Sequence, residues 1–446
     1  MKWLPGMLGA LLVPAVLVGQ QVPARLTLVD ALEIARRGNP EYQQAVNSAL
    51  AQGAQIRAGW GAFLPTLSAR LAFSGTSSRT VTGQDDFGRP VELPNPVTFR
   101  RSAASQSVSA GLTVFDGFRN LNSLRATRAS ADAAYAAREA VGTRIDAETA
   151  RRFYEALRTT RLIALEERLL ASAREQLDNT RRLFRIAGAT REDVLGAEAD
   201  VATQELQFES AKGDARKAVL AVREHLGIVE DIDFSVAGDL PDTWDPATLD
   251  VEALVSRATE STPRVLQLEA SARAADLRVS AQRAGRWPTI MVNASLSRSV
   301  SLSSYDALFQ FNPRNRGFGI GITLDLPVFT GFQTAAQIAT ASLESRNAHE
   351  TVRASRLQVE REVRAAVIDV RNTYRGRQLA ERAAELSLER LQLARQRYAI
   401  GAMTFANLQL LIDRAAQEER RLVNAQFQLA QAVVTLDERV GRSVQP

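Results

Sequence analysis

Phe63-Leu64-Pro65-Thr66-Leu67-Ser68-Ala69-Arg70-Leu71-Ala72-Phe73 joins a proline hinge to a strictly alternating run, and Arg286-Trp287-Pro288-Thr289-Ile290-Met291-Val292-Asn293-Ala294-Ser295-Leu296 does the same again. Pro65 returns as Pro288 and Pro40 as Pro263, at one offset of 223 residues (288 − 65 and 263 − 40). Further along, Val114-Phe115-Asp116-Gly117-Phe118 returns as Val328-Phe329-Thr330-Gly331-Phe332 at 214 (328 − 114). Gly188-Ala189 then returns as Gly401-Ala402 at 213 (401 − 188). The chain is a duplication. The drop from 223 to 214 gives the first copy nine more residues between its Pro-Thr and its Val-Phe, where a hairpin tip absorbs them.

The alternation extends beyond the two opening strands. Val108, Ala110, Leu112 and Val114 alternate with Ser107, Ser109, Gly111 and Thr113; Phe318, Ile320, Ile322, Leu324 and Leu326 alternate with Gly317, Gly319, Gly321, Thr323 and Asp325. Period two with one apolar face specifies strands, expected near 66–75, 105–115, 289–302 and 317–328. The opposite face of Ser, Gly, Thr and Asn suits a watery lumen, and about ten residues is the length of a tilted membrane strand. Phe63, Phe115, Phe118, Trp287, Phe329 and Phe332 gather where strands meet helices, as a single aromatic girdle. Pro65, Pro288, Gly117 and Gly331 are the expected helix–strand hinges. Bacterial barrels start at about eight strands, so a chain with four must pool them with other copies. The hairpin loops, between 74 and 105 and between 303 and 317, are expected to face the outside.

The rest reads as long helix. Between Arg119 and Ile186 there is no proline and the only glycine is Gly142, so one helix of about 100 Å is expected at 1.5 Å per residue. Ile163, Leu170, Leu177 and Phe184 fall seven apart, a coiled-coil seam. Gly188 is the expected breaker, Thr190 the cap with Asp193 three residues on, and a return helix follows from about 192 to 226. The second copy gives a helix from about 334 to 400, Gly401, Thr404 as cap, and a return to about 440. Its seam holds Ala384, Leu391 and Tyr398.

Lys2 and the apolar run to Val18 read as a signal peptide over 1–22. A first repeat then spans 23–228, an acidic connection or equatorial segment 229–250, and a second repeat 251–446. The absence of cysteine excludes disulfides and thiolate metal sites. The net charge of +5 comes from arginines interleaved with Glu and Asp, a solvated helix face rather than a nucleic-acid surface. His225 and His349 build no metal cluster, since Arg353 stands where a zinc motif starting at His349-Glu350 needs its second histidine. No catalytic residue, metal or cofactor is expected.

In order and spacing, Leu26-Thr27-Leu28-Val29-Asp30-Ala31-Leu32 with Asn39-Pro40, the Phe63-Leu64-Pro65 hinge, the Val114-Phe115-Asp116-Gly117 exit and the two tips resemble the outer membrane efflux proteins, the TolC-like channel-tunnels. The resemblance implies a mainly α fold with a β-barrel. In it a homotrimer pools four strands per chain into one outer-membrane barrel standing on a periplasmic α-helical barrel. It also implies a passive exit duct of a tripartite efflux pump or type I secretion system, docked by a periplasmic adaptor and energised by an inner-membrane transporter. The adaptor-docking tips would be Gly188, Ala189, Thr190, Gly401, Ala402 and Thr404. The family's aspartates six and nine residues past the second tip glycine are Asn407 and Leu410 here, with Asp413 one turn further. Tyr398 matches its tip tyrosine, Asp193 its acid, and Met403 stands at its arginine. A less polar constriction of Met403, Asn407 and Leu410 is therefore expected. The competing reading is a soluble periplasmic coiled-coil structural or binding protein whose four strands form a small sheet on helices.

Overall fold

The computed structural model describes residues 23–84, 86–230, 232, 234–240, 245–302 and 316–441. The expected signal peptide, Asp231, Asp233, Asp242 and the second outer loop at 303–315 lie outside them. In chain order the elements are β1 (Arg25–Leu26), α1 (Leu28–Gly38), α2 (Pro40–Gly61), β2 (Thr66–Gln84), β3 (Pro90–Phe115), α3 (Arg119–Arg185) and α4 (Arg191–Leu226). Then come β4 (Ser235–Val236), α5 (Val251–Ser261), α6 (Pro263–Arg283), β5 (Thr289–Leu302), β6 (Arg316–Asp325), α7 (Gln333–Ala399) and α8 (Phe405–Val440). The copies match in length: α3 and α7 have 67 residues each, α4 and α8 have 36 each. The offset of 214 holds through both hairpins, from Arg119/Gln333 to the left-handed cap glycines Gly227 and Gly441. The described parts of Asn47–Ala137 and Arg264–Arg356 form one compact unit, and those of Met1–Val46, Arg138–Pro263 and Leu357–Pro446 another.

The first of these units carries an antiparallel sheet in the order β2-β3-β5-β6. Its register brings the four alternating patterns onto one face. Leu67 pairs with Ala110, Val108 with Leu296, Val292 with Ile322 and Leu296 with Phe318. On the other face Ser68 pairs with Ser109, Ser109 with Ser295, and Ser295 with Gly319. The Ser68 and Ser109 hydroxyls are 2.8 Å apart. In the single chain the apolar face is open: Leu67 is 75% exposed, Phe318 72% and Ile322 74%.

Three strand ends differ from expectation. β2 and β3 continue past 75 and start before 105, paired through Thr80↔Val97 and on to Gln84↔Pro90 across a register shift. Their outer parts, such as Thr76-Ser77-Ser78-Arg79-Thr80, lose the apolar alternation, so periodicity alone stops short while the hydrogen-bond ladder runs on. β6 ends at Asp325 rather than 328 because Pro327 has no N–H to give a ladder.

At the strand–helix junctions Phe115 and Phe118 meet edge-on at 5.6 Å, and Phe329 and Phe332 at 5.8 Å. Gly117 and Gly331 are left-handed at φ 66° and 59°, and each is followed by a left-handed phenylalanine, Phe118 or Phe332. The two hinges differ in crowding. A Cβ at Gly117 would lie 2.6 Å from Trp287 Cβ and 2.9 Å from the Ala284 carbonyl, whereas nothing approaches Gly331.

In the other unit a core of Leu26, Phe153, Leu226, Phe234, Val236 and Phe427 joins α3, α4 and α8 to the acidic connection. The connection is no free linker. β4 pairs in parallel with β1, and the Asp245 and Asp250 carboxylates accept from Ala247 N–H and Ala253 N–H at the starts of the next two helical turns. Asn39 locks the α1–α2 corner: its Nδ2 donates to the His225 carbonyl at 2.7 Å, while its Oδ1 accepts from the N–H groups of Glu41 and Tyr42. Thr149 Oγ1 donates to the Ile145 carbonyl at 2.7 Å, so at 3.0 Å it accepts from His225 Nε2–H. Burial, reinforced by Arg152, holds the His225 pKa below its usual value. Across the hairpins Arg420 clasps Glu166 with two hydrogen bonds of 2.6 and 2.7 Å. Leu170 and Leu177 bury the expected seam, Ile163 is half-buried, and Phe184 is exposed where the seam opens toward the tip.

Candidate functional site

The two hairpin tips share a backbone solution. In the first, Gly188 N–H donates to the Leu183 carbonyl at 2.8 Å and Ala187 N–H to Phe184 at 3.1 Å. In the second, Ala402 N–H donates to Arg397 at 2.9 Å and Gly401 N–H to Tyr398 at 3.0 Å. Both are Schellman caps, which require one left-handed residue. In the second tip that residue is Gly401 at φ 73°; in the first it is Ala187 at φ 57°, not Gly188. The structural equivalents are thus Ala187/Gly401 and Gly188/Ala402, at the same 214 offset as the rest of the hairpins. Matching glycine to glycine shifted the sequence reading by one.

The return helices start alike and then diverge. Thr190 accepts from Asp193 N–H at 3.1 Å, and the Asp193 carboxylate accepts from Thr190 N–H at 2.8 Å, a complete capping box. Thr404 accepts from Asn407 N–H at 3.4 Å without a reciprocal bond, because Asn407 occupies the position of Asp193. Asp193 therefore serves its own helix. Tyr398 turns its ring to Phe405, 6.1 Å between centroids, and feels Asp193 only through space. Burial raises the Tyr398 pKa, with Thr180 beside the hydroxyl acting the other way. Thr180 already donates to the Gln176 carbonyl, and the Tyr398 hydroxyl meets no hydrogen-bond geometry among the described residues.

Phe405 joins the two tips. It is buried against Leu177, Val194 and Ala197 of the first hairpin, and a Cβ on Gly196 would stand 3.1 Å from its ring. Met403 packs half-buried with Leu391, Leu408 and Leu411 in the second hairpin's own seam. Asn407 and Leu410 are exposed, as is Asp413, which accepts from Gln409 Nε2 at 3.0 Å. Half-burial, with Asp413 facing it, pushes Asp200 from its ordinary 3.8 up to about 6. Among the constriction residues expected from sequence, the structure keeps Asn407, Leu410 and Asp413 on the surface and withdraws most of Met403 into packing. Phe405, Gly196 and Asp200 were missed, because their meeting depends on how the two hairpins pack, which no spacing along the chain encodes.

The sequence profile of the family described as "Outer membrane efflux protein" matches residues 31–228 and 254–442. This chain belongs to the outer membrane efflux protein family. The outer membrane efflux protein BepC of Brucella suis biovar 1 (strain 1330) is 26% identical over 273 residues, covering 59% of this chain and 54% of that protein. The chain thus spans about half the length of that relative. Crystal structures of CusC, whose subject is folding and transmembrane channel formation, superpose with a TM-score of 0.78 at 17% identity, over 93% of this chain and 92% of that one. The outer membrane channel CmeC of Campylobacter jejuni superposes at 0.74 and 15% identity, over 94% and 87%. The fold is therefore that of the TolC-like channels. Family membership places the chain among the proteins of the outer membrane. Among the described residues no helix is long and apolar enough to cross a membrane, and no cluster of three His, Asp or Glu side chains suits a metal.

Proposed function

We propose that the chain is one protomer of a trimeric exit duct in the outer membrane. The observation that carries this reading is the open four-stranded sheet, apolar on one face and Ser/Gly/Thr on the other, with β2 and β6 at its edges. A face of exposed Leu, Ile and Phe needs lipid, and an edge strand needs a partner strand. Three copies close both edges with twelve strands, an even number above the minimum for a membrane barrel. The alternative of a small sheet packed on helices requires that apolar face to be covered. The duct is passive, docked at the hairpin tips around Gly188, Ala189, Thr190, Gly401, Ala402 and Thr404 by a periplasmic adaptor and energised by an inner-membrane transporter. The segment 229–250 acts as an equatorial band, residues 1–22 as a secretory signal, and Asn407, Leu410 and Asp413 line the narrow end with Met403 behind them.

The cysteine-free chain gives a direct test. Ser68→Cys on β2 is combined in turn with Gly317→Cys, Gly319→Cys and Gly321→Cys on β6, and purified outer membranes are oxidised. At least one pair is expected to give covalent dimers and trimers between chains. Monomers alone for every pair would overturn the shared barrel.

A further inference from the structure

The apolar face of the sheet ends in arginine. Arg298 continues the series Ile290, Val292, Ala294, Leu296 on β5, and Arg316 stands two residues before Phe318 on β6, so both lie on the face of exposed Leu, Ile and Phe. The register sets the two directly opposite each other, with Gln106 and then Leu71 completing the row on β3 and β2. One layer nearer the hinges the same face holds Val108, Leu296 and Phe318.

Like charges directly opposite across a ladder repel. Nothing among the described residues offsets this pair. The four strands hold two carboxylates, Asp325 at the hinge end opposite Thr289 and Glu92 beyond the register shift opposite Thr82. Arg298 Nε is closed off from solvent and meets no hydrogen-bond partner among the described residues, which is unfavourable for a charged group. The height of the pair is also telling. From the girdle residue Trp287 to Arg298 is eleven residues (298 − 287). That is about 37 Å along a strand at ~3.4 Å per residue, or about 28 Å of height at a tilt of ~40°. The apolar band of an outer-membrane barrel is about 25 Å tall. With the hinges at the periplasmic end, the arginines stand at the outer interface, where lipid headgroups begin.

Resting on the exit-duct reading, we infer that Arg298 and Arg316, with Gln106 beside them, form a binding site for the phosphate of an outer-leaflet lipid headgroup, repeated three times around the closed barrel. A phosphate seated between two guanidinium forks replaces their repulsion with paired charge-assisted hydrogen bonds. The acyl chains of the same lipid then run down over Leu296 and Phe318, both exposed in the single chain. This second contact distinguishes a lipid from free phosphate.

The test is native mass spectrometry of the full-length assembly in detergent, with bisphosphorylated lipid A, its phosphatase-treated form and inorganic phosphate as probes. The bisphosphorylated lipid is expected to stay bound, up to three per trimer, and the dephosphorylated lipid to be lost. R298Q/R316Q should weaken retention roughly tenfold or more, and R298K/R316K, which keeps the charge but loses the fork, should fall between. Arg70→Gln, at nearly the same height on the opposite face beside Ser107, should leave retention unchanged. Equal retention of the two lipids, retention of neither, or an unchanged R298Q/R316Q variant would overturn the inference. So would displacement of the lipid by millimolar inorganic phosphate, since the arginines would then serve a free anion. The same spectra separate the two levels. Trimers that hold no lipid defeat only the headgroup site, whereas monomers defeat the shared barrel and the site with it.

Discussion

Replacing each of the two helix-terminal glycines Gly227 and Gly441 by alanine turns the internal duplication into a controlled comparison. Both close a return helix in the left-handed region, at φ 72° and 82°. An L-residue there costs about 1–2 kcal/mol at either site. Their surroundings differ. At Gly441 the nearest atoms to a new Cβ are Pro263 Cδ at 3.8 Å and Thr262 Cγ2 at 3.9 Å, ordinary contacts. At Gly227 the Cβ would lie 2.1 Å from the Gly38 carbonyl oxygen and 2.7 Å from its carbon. That obstacle is backbone, and the corner is pinned by the three hydrogen bonds of Asn39. Relief means moving the α1–α2 corner, a further ~1–3 kcal/mol by analogy with overpacking. Gly227→Ala should therefore cost ~2–5 kcal/mol against ~1–2 kcal/mol for Gly441→Ala. Urea unfolding of the detergent-solubilised assembly, followed by helical circular dichroism, ranks the two. A loss at Gly441→Ala equal to or larger than that at Gly227→Ala would refute the reasoning.

The same logic applies at the membrane hinges: Gly117→Ala, which drives a Cβ into Trp287, should lower the unfolding midpoint well below that of Gly331→Ala, where the space is open. Ala187→Gly should relax the first tip by about 0.5–1 kcal/mol, since glycine removes the left-handed strain but gains freedom when unfolded. Hydrogen exchange of the amides at 187 and 188 reads this as slower opening. Asp200 supplies a pH signature. Its pKa is higher folded than unfolded, so the folded state binds the extra proton between about pH 4 and pH 6 and stability falls as pH rises through that window. Asp200→Asn should be the more stable form above about pH 6 and lose its advantage below about pH 4, read as thermal midpoints across a pH series.

Much of this architecture is legible in the chain because it rests on patterns that repeat. Alternation located the inner parts of all four strands, and the proline-free run from Arg119 located a helix that ends at Arg185, within a residue of expectation. The outer halves of β2 and β3 were illegible because stretches such as Thr76-Ser77-Ser78-Arg79-Thr80 carry no apolar alternation to read. At the tips the sequence misled for a different reason. Gly188 advertises a left-handed turn, yet hydrogen bonding to Leu183 and Phe184 assigns that conformation to Ala187. Asp193, by contrast, caps its own helix as its spacing from Thr190 implied. The meeting of Phe405 with Gly196 depends on which helix ends lie side by side, and spacing along one chain does not contain that information.

The most direct test is native mass spectrometry of the protein extracted from purified outer membranes in detergent. Three chains per particle is the expected mass, since only pooled strands can close β2 and β6 of each sheet. A monomer with its sheet intact would contradict the account.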